Sequence, residues 1–471
     1  MDWNTLLCPR RIAEYQTRGS QKKSADLRTE FEKDYHRIIG SSAFRRLQDK
    51  TQVFPWDKSD FIRTRLTHSL EVSSLARSLG QNISESILQK RLDPRFIPAM
   101  EMDVCNVLQC AGLIHDIGNP PFGHFGEEAI RDWFRANLDG LEFKGRPVTE
   151  LFSEQMKQDF LNFEGNAQAL RMVSKLHYLV NENGMNLTVA LLNTIIKYPV
   201  PSTEIGAVPG LSHEKMGYFQ SEEELYRKIS ASCGTKGRRH PLTLILEAAD
   251  DIAYRTADIE DAFKKGCITY SQLLSLLCEY LDPEFREKDN YPVNVLKAQY
   301  RKAIERKDRN PEQYAISNFI VRMQGYLLYC ATASFTSHYS EIMNGTWEQD
   351  LFYGTPGAAL CDALGKIAYD NAFTSIPIMR LEIAANQMIC YFLDHFIRAF
   401  LYYDTDCPLG LMEDKFVHLI SDSYIQIYHF YAKGKSEAER LYLRFLLVTD
   451  YVSGMTDSFA KDLYQELNGI D

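Results

Sequence analysis

The sequence predicts an all-α protein, and three observations carry the prediction. Apolar residues return every three or four positions through most of the 471 residues, whereas alternating strand patterns joined by hairpin turns are missing. Glycine and proline mark helix ends rather than tight hairpins. Hydrophobic residues make up 45% and charged residues 25%, a balance that builds a buried core and excludes a disordered or fibrous chain.

The elements follow in order. Leu66, Leu70, Leu75 and Leu79, with Val72 and Ala76 beside them, predict a helix from Leu66 to Leu79 that holds His68 in its first turn, with Gly80 as its stop. Val104, Leu108, Ala111 and His115 run down a second stripe, which Gly118, Pro120 and Pro121 end. A helix from about His124 to Leu138 follows, in which His124 and Glu127 are three apart and share a face. Residues 199–240, rich in Pro, Gly, Ser and charge, read as a long lid-like excursion over the core. Another helix begins near Leu242, and several more reach the C-terminus. The expected organisation is a helical core over residues 1–270, including this excursion, with a helical region over 271–471 packed on it and contributing to assembly.

Several function classes are disfavoured. The N-terminus lacks the pattern of a secretory signal. The most apolar C-terminal stretch, Met388 to Tyr403, is interrupted by Asp394, His395 and Arg398, so it reads as a buried helix and no membrane partner is expected. Ten cysteines without a CxxC spacing read as reduced thiols of a cytoplasmic protein. Lys and Arg number 53 against 63 Asp and Glu, and the net charge of -10 is the opposite of a nucleic-acid-binding footprint. No P-loop is present.

The chemistry concentrates in two stretches. In "AGLIHDIGNPPFGHFGEE" the adjacent His115 and Asp116 are either a hydrogen-bonded structural pair or two ligands of one ion. In "LEAADDIAYRTADIEDAF", Glu247, Asp250, Asp251, Tyr254, Asp258 and Asp261 fall within one arc of about 100°. Taken alone, that arc reads as the acidic solvent face of an amphipathic helix. Joined together, His68, His115, Asp116 and Asp250 offer two nitrogens and two oxygens from three helices. Such a set suits an open site for Mn²⁺, Fe²⁺, Co²⁺ or Mg²⁺ better than a closed zinc site.

The segments "SSAFRRLQDKTQVFP", "HSLEV", "HDIGNPPFGHFGEEAI", "FEGNAQALR", "RHPLTLILEAADDIAY" and "YVSGMTDSFAKDLY" together resemble the HD-domain deoxynucleoside triphosphate triphosphohydrolases, and most of all the long bacterial dGTP triphosphohydrolases. The resemblance spans nearly the whole chain. It implies that His68, His115, Asp116 and Asp250 bind a divalent metal, Mn²⁺ or Mg²⁺ with Co²⁺ or Fe²⁺ as alternatives. It also implies that His124, held by Glu127, activates or positions the attacking water, which agrees with the need of a general base for an orienting carboxylate. Arg65 and Lys197 would contact phosphates, Tyr254 would pack where a ribose 2′-hydroxyl would sit, Asp258 would bond the 3′-hydroxyl, and Gln52 would read the base.

The implied reaction is hydrolysis of dGTP to deoxyguanosine and inorganic tripolyphosphate by a homo-oligomer, with a hexamer among the family's assemblies. Within the same class, the alternative is a broader dNTP triphosphohydrolase activated by a second nucleotide. A different class, a nucleic-acid-binding regulator that retains the HD site and engages single-stranded DNA, is opposed by the net charge.

Overall fold

The computed structural model describes residues 1–15, 26–54, 56, 62–177, 182–281 and 291–470. It is helical, and among the described residues the one sheet is an antiparallel pair, Glu142–Phe143 with Arg146–Pro147. The helices that position the site are α1 (Glu30–Ile39), α2 (Arg65–Lys90), α3 (Ala99–Ile114), α4 (His124–Asn137), α5 (Gly165–Arg171), α6 (Pro241–Lys264), α7 (Pro311–Ser337), α8 (Pro356–Ala368), α9 (Ile376–Leu401), α10 (Glu437–Ser453) and α11 (Asp457–Asn468). Among the described residues, no helix is long and apolar enough to cross a membrane.

Helix α2 begins where the sequence provides a cap, because the Thr64 side chain accepts from the Thr67 backbone N–H while Thr67 reaches back to Thr64. It does not stop at Gly80 as expected, and continues to Lys90. Gly80 is there for packing: a Cβ at that position would come within 2.6 Å of Leu108 Cδ1 on α3. Gly112 plays the same part from the other side, its missing Cβ falling 2.5 Å from Ser73 Cα. The two helices therefore touch backbone to backbone, and α6 packs against both.

Two apolar cores share the chain, and they do not divide at residue 270. One gathers α1, α2, α3, α6, α7 and α8 around residues such as Val72, Leu108, Ile252 and Phe319. The other joins α4 to α9, α10 and α11 through Phe134, Phe160, Phe396 and Phe445. Residues 199–240 contain three single 3₁₀ turns and the helix Glu223–Cys233. Met216 and Phe219 in this stretch are fully buried, whereas residues 203–209 are mostly exposed.

Candidate active site

Three helices converge where α3 ends. Helix α3 stops at Ile114, and His115 keeps helical backbone angles at its C-cap. The His115 ring turns back so that Nδ1 lies 2.8 Å from the Gly112 carbonyl oxygen. A carbonyl can only accept, so Nδ1 carries the proton and Nε2 presents a lone pair. Asp116 follows at the start of the turn, with Asn119 Nδ2 donating to its Oδ1 over 2.9 Å. Helix α2 contributes His68 from its capped first turn, and α6 contributes Asp250 from its middle.

His68 Nε2 is 3.1 Å from Asp250 Oδ1, and His115 Nε2 is 3.4 Å from the same oxygen and 3.6 Å from Asp116 Oδ2. One ligand atom from each of His68, His115 and Asp250 lies within 4.8 Å of the other two. Asp116 flanks this set and also pairs with Arg65. His115 Nε2 is buried with no hydrogen-bond partner. Its lone pair and two carboxylate oxygens face one another, an arrangement that becomes favourable when a metal cation or a proton lies between them. Burial opposes protonation of His115, but the Asp116 and Asp250 carboxylates outweigh it and raise its pKa. Burial likewise opposes ionisation of Asp116 and Asp250, yet His115, with Arg65 for the first and Lys197 for the second, holds both well below the usual carboxylate range.

His68, Asp116 and Asp250 of this cluster line a cavity of about 490 Å³, whereas His115 is not part of that lining. Gln52, Arg65, His68, Asp116, His124, Asp250, Asp251 and Tyr254 line it from one side. His124 opens α4 directly after the left-handed Gly123, where a Cβ would run into the Arg65 guanidinium. The His124 side chain is 77% exposed, whereas its partner Glu127 is 1% exposed. Nδ1 lies 2.9 Å from Glu127 Oε2, and Glu127 Oε1 accepts from the Gly165 N–H at the start of α5 over 2.8 Å. The hydrogen bond to Glu127 raises the His124 pKa. Burial would raise that of Glu127, but His124 lowers it instead.

The remaining expected residues fall in two groups. Gln52 and Tyr254 line the cavity; Gln52 Oε1 is buried without a partner, and the Tyr254 ring stacks toward Phe373 with centroids 6.2 Å apart. Lys197 and Asp258 lie outside that lining. Lys197 Nζ is 3.4 Å from Asp250 Oδ2, and burial, which would lower its pKa, is outweighed by Asp250 and Glu247, which raise it. Asp258 is 3% exposed with Oδ2 unpartnered, and burial followed by Asp261 pushes its carboxyl up. The acidic arc of α6 is therefore not a solvent face: Asp261 is equally buried and receives Arg63 over 2.6 Å.

Sequence reasoning missed the lining contributed by a later part of the chain. Tyr369, Phe373, Thr374, Met379 and Glu382, from the end of α8 to the first turns of α9, close the cavity. No arginine of the C-terminal helices belongs to the described lining. Asp251 fell in the acidic arc but received no role; it borders the cavity with its carboxyl pushed up to about 7 by burial and then by Asp250.

The chain is similar to known proteins over its whole length. The HD domain matches residues 65–255, the span from Arg65 to just beyond Tyr254. A deoxyguanosinetriphosphate triphosphohydrolase-like protein of Listeria innocua is 43% identical, with the whole of both chains covered. A protein of the same description from Synechocystis is 34% identical over the whole of both chains. A deoxyguanosinetriphosphate triphosphohydrolase of Salmonella schwarzengrund is 32% identical over 97% of each.

Proposed function

Because the chain belongs to the HD-domain deoxyguanosinetriphosphate triphosphohydrolase-like family, a family of hydrolases, we propose that it is a metal-dependent enzyme hydrolysing dGTP to deoxyguanosine and inorganic tripolyphosphate. The observation that carries this reading is the His115 lone pair facing Asp116 and Asp250, two carboxylates that line the same cavity as His124, which Glu127 holds.

The donor set of His68, His115, Asp116 and Asp250 fits a divalent ion, Mn²⁺ or Mg²⁺ first, with Co²⁺ and Fe²⁺ also suited to mixed nitrogen and oxygen ligands. Bound there, the ion would supply Lewis-acid polarisation of the phosphate oxygens. His124 takes the proton from the attacking water at Nε2, while Glu127 fixes the Nδ1–H tautomer. The water oxygen bonds to the α-phosphorus as the bond from that phosphorus to the 5′-oxygen breaks; the 5′-oxygen leaves as deoxyguanosine with a proton from solvent, and the proton held by His124 returns to solvent. Arg65 and Lys197 balance phosphate charge. Tyr254 fills the space that a ribose 2′-hydroxyl would need, and Asp258 is assigned to the 3′-hydroxyl. Gln52 Oε1, buried and unpartnered, is assigned to the base.

A broader dNTP specificity is a second reading within the same class. It is favoured by the apolar character of Tyr369, Phe373 and Met379, which would pack against any base. We place the enzyme in the cytoplasm as a homo-oligomer. Its ten cysteines form no disulfide, and Ile376, Met379 and Ile383 expose one apolar stripe of α9 at helical spacing.

The test is product analysis by ion exchange after incubation with Mn²⁺ and each of dGTP, dATP, dCTP, dTTP and GTP. Deoxyguanosine and tripolyphosphate from dGTP alone support the strict enzyme, and release from several dNTPs supports the broad one. Turnover that requires a second dNTP points to activation. Monophosphate with pyrophosphate would refute the bond cleavage, and no turnover with any nucleotide would refute the activity.

A further inference from the structure

The segment "YVSGMTDSFAKDLY" carries no residue of the cavity lining, yet it stands directly behind two of the cavity's walls. Asp457 opens α11 and is 2% exposed. Its Oδ1 accepts from the Phe122 N–H over 2.9 Å, and its Oδ2 accepts from the Thr51 N–H over 2.9 Å and from the Thr51 hydroxyl. Its backbone oxygen accepts from Trp56 Nε1 over 3.3 Å, and the Trp56 ring meets the Phe122 ring edge-on, with centroids 5.3 Å apart.

The two carboxylate ties end on Thr51 and Phe122, which themselves line the cavity beside Gln52 and Gly123–His124. Thr51 precedes Gln52 and is bridged to Thr64, the cap of the helix that carries Arg65 and His68. Phe122 precedes Gly123 and His124, and its φ of +65° is one that a residue with a side chain seldom adopts. Such a conformation persists only when its surroundings hold it, and the Asp457 carboxylate is what the Phe122 N–H meets. Lys50 makes a parallel tie, its buried ammonium donating to Asn119 O over 2.6 Å and to Ser453 O over 2.7 Å. Asn119 in turn donates to Asp116.

We propose that Asp457 is a positioning residue: through its two carboxylate oxygens, the C-terminal helix pair holds the Thr51–Gln52 loop and the Phe122–His124 turn in register, so that the base-facing and water-facing groups address one substrate. The consequence for kinetics rests on the function proposed above, whereas the tie itself does not. An asparagine at 457 keeps the shape but replaces one acceptor oxygen by an NH₂ group, which must face an N–H and so breaks a tie.

The experiment compares wild type and Asp457→Asn by amide hydrogen exchange and by steady-state dGTP turnover. Exchange is expected to rise ten-fold or more in residues 49–54 or 119–124, whichever faces the NH₂ group, and by a smaller factor in the other, while the apolar core around Val72 and Leu108 is unchanged. Turnover is expected to fall about ten-fold with KM raised at least three-fold. Loss of folded enzyme alone would lower turnover and leave KM as it was. Wild-type exchange in either segment, or an unchanged KM, would overturn the proposal. If the wild type hydrolyses no dNTP, the function fails while the exchange result still decides the tie. Should Asp457→Asn not fold, Thr51→Val removes only the hydroxyl donor. It should speed exchange in 49–54 alone, and no acceleration there would equally overturn the proposal.

Discussion

Two buried polar clusters, built from nearly the same ingredients, have opposite characters. In the first, Arg171 of α5 holds Asp450 of α10 with Nε at 2.7 Å and Nη2 at 2.6 Å, and reaches Glu222 with Nη1 at 2.9 Å. Lys175 adds a second contact to Glu222 at 2.7 Å, and Gln168 donates to Asp450 over 2.9 Å. Two cations meet two carboxylates, all four nearly without solvent exposure. In the second cluster, His115 Nε2, His68 Nδ1, Arg65 Nε and Gln52 Oε1 are buried without partners beside a cavity. The first arrangement pairs each of its charges, leaving Gln168 Oε1 alone without a partner, and holds the fold together; the second leaves several acceptors and donors unspent beside the cavity. Burial and charge therefore do not identify a site. Unused hydrogen-bonding capacity next to open volume marks a candidate, and here it coincides with the His68, His115 and Asp250 ligand set.

Removing one member from each cluster sharpens the contrast. Asp250→Ala should cost at least about 10³-fold in turnover, roughly 4 kcal/mol of barrier, while the thermal unfolding temperature falls by less than in the second variant, because Asp250 has one long ion pair, to Lys197 at 3.4 Å, and otherwise crowds Asp116 and the His115 lone pair. Arg171→Met should do the reverse. It strands Asp450 and Glu222 in the interior and should cost about 3–5 kcal/mol of stability in denaturant unfolding, with near-normal turnover per folded molecule. If Asp250→Ala unfolds the protein and Arg171→Met only lowers activity, the distinction drawn here is reversed.

A smaller effect is expected from Glu127→Gln, which leaves His124 in place but removes the anion beside it. Turnover should fall about 10- to 100-fold. Glu127 raises the His124 pKa, so a base that must be deprotonated loses activity as pH falls through that raised value. With glutamine the imidazole returns toward about 6.5, and the acid limb of the pH–rate profile should move to lower pH. A limb that stays put or moves up would show that His124 is not the group titrating.

The parts of this site that were legible in the sequence are those in which side-chain type and helical spacing coincide. His115 and Asp116 stood at the end of an apolar stripe before Gly-Asn-Pro-Pro, and Asp250, Asp251 and Tyr254 shared a helix face. The solvent assignment of that face failed because Arg63, which neutralises Asp261, comes from nearly two hundred residues away. Gly80 was misread because a helix-interior glycine and a helix stop look alike in sequence; only the approach of Leu108 distinguishes them. The wall of Tyr369, Phe373 and Met379 has no spacing that points to the HD segments, since tertiary packing alone brings it there. Asp457 acts on backbone N–H groups of Thr51 and Phe122, which every sequence possesses, so its partners left no trace in residue type.

The central claim is that the incomplete cluster is a cation site, and Mn²⁺ titration of chelator-stripped protein, followed by electron paramagnetic resonance, tests it most directly. The account predicts one tightly bound Mn²⁺ per chain in wild type and in Arg171→Met, and its loss in Asp250→Ala. Equal Mn²⁺ binding by wild type and Asp250→Ala, or none by either, would contradict it.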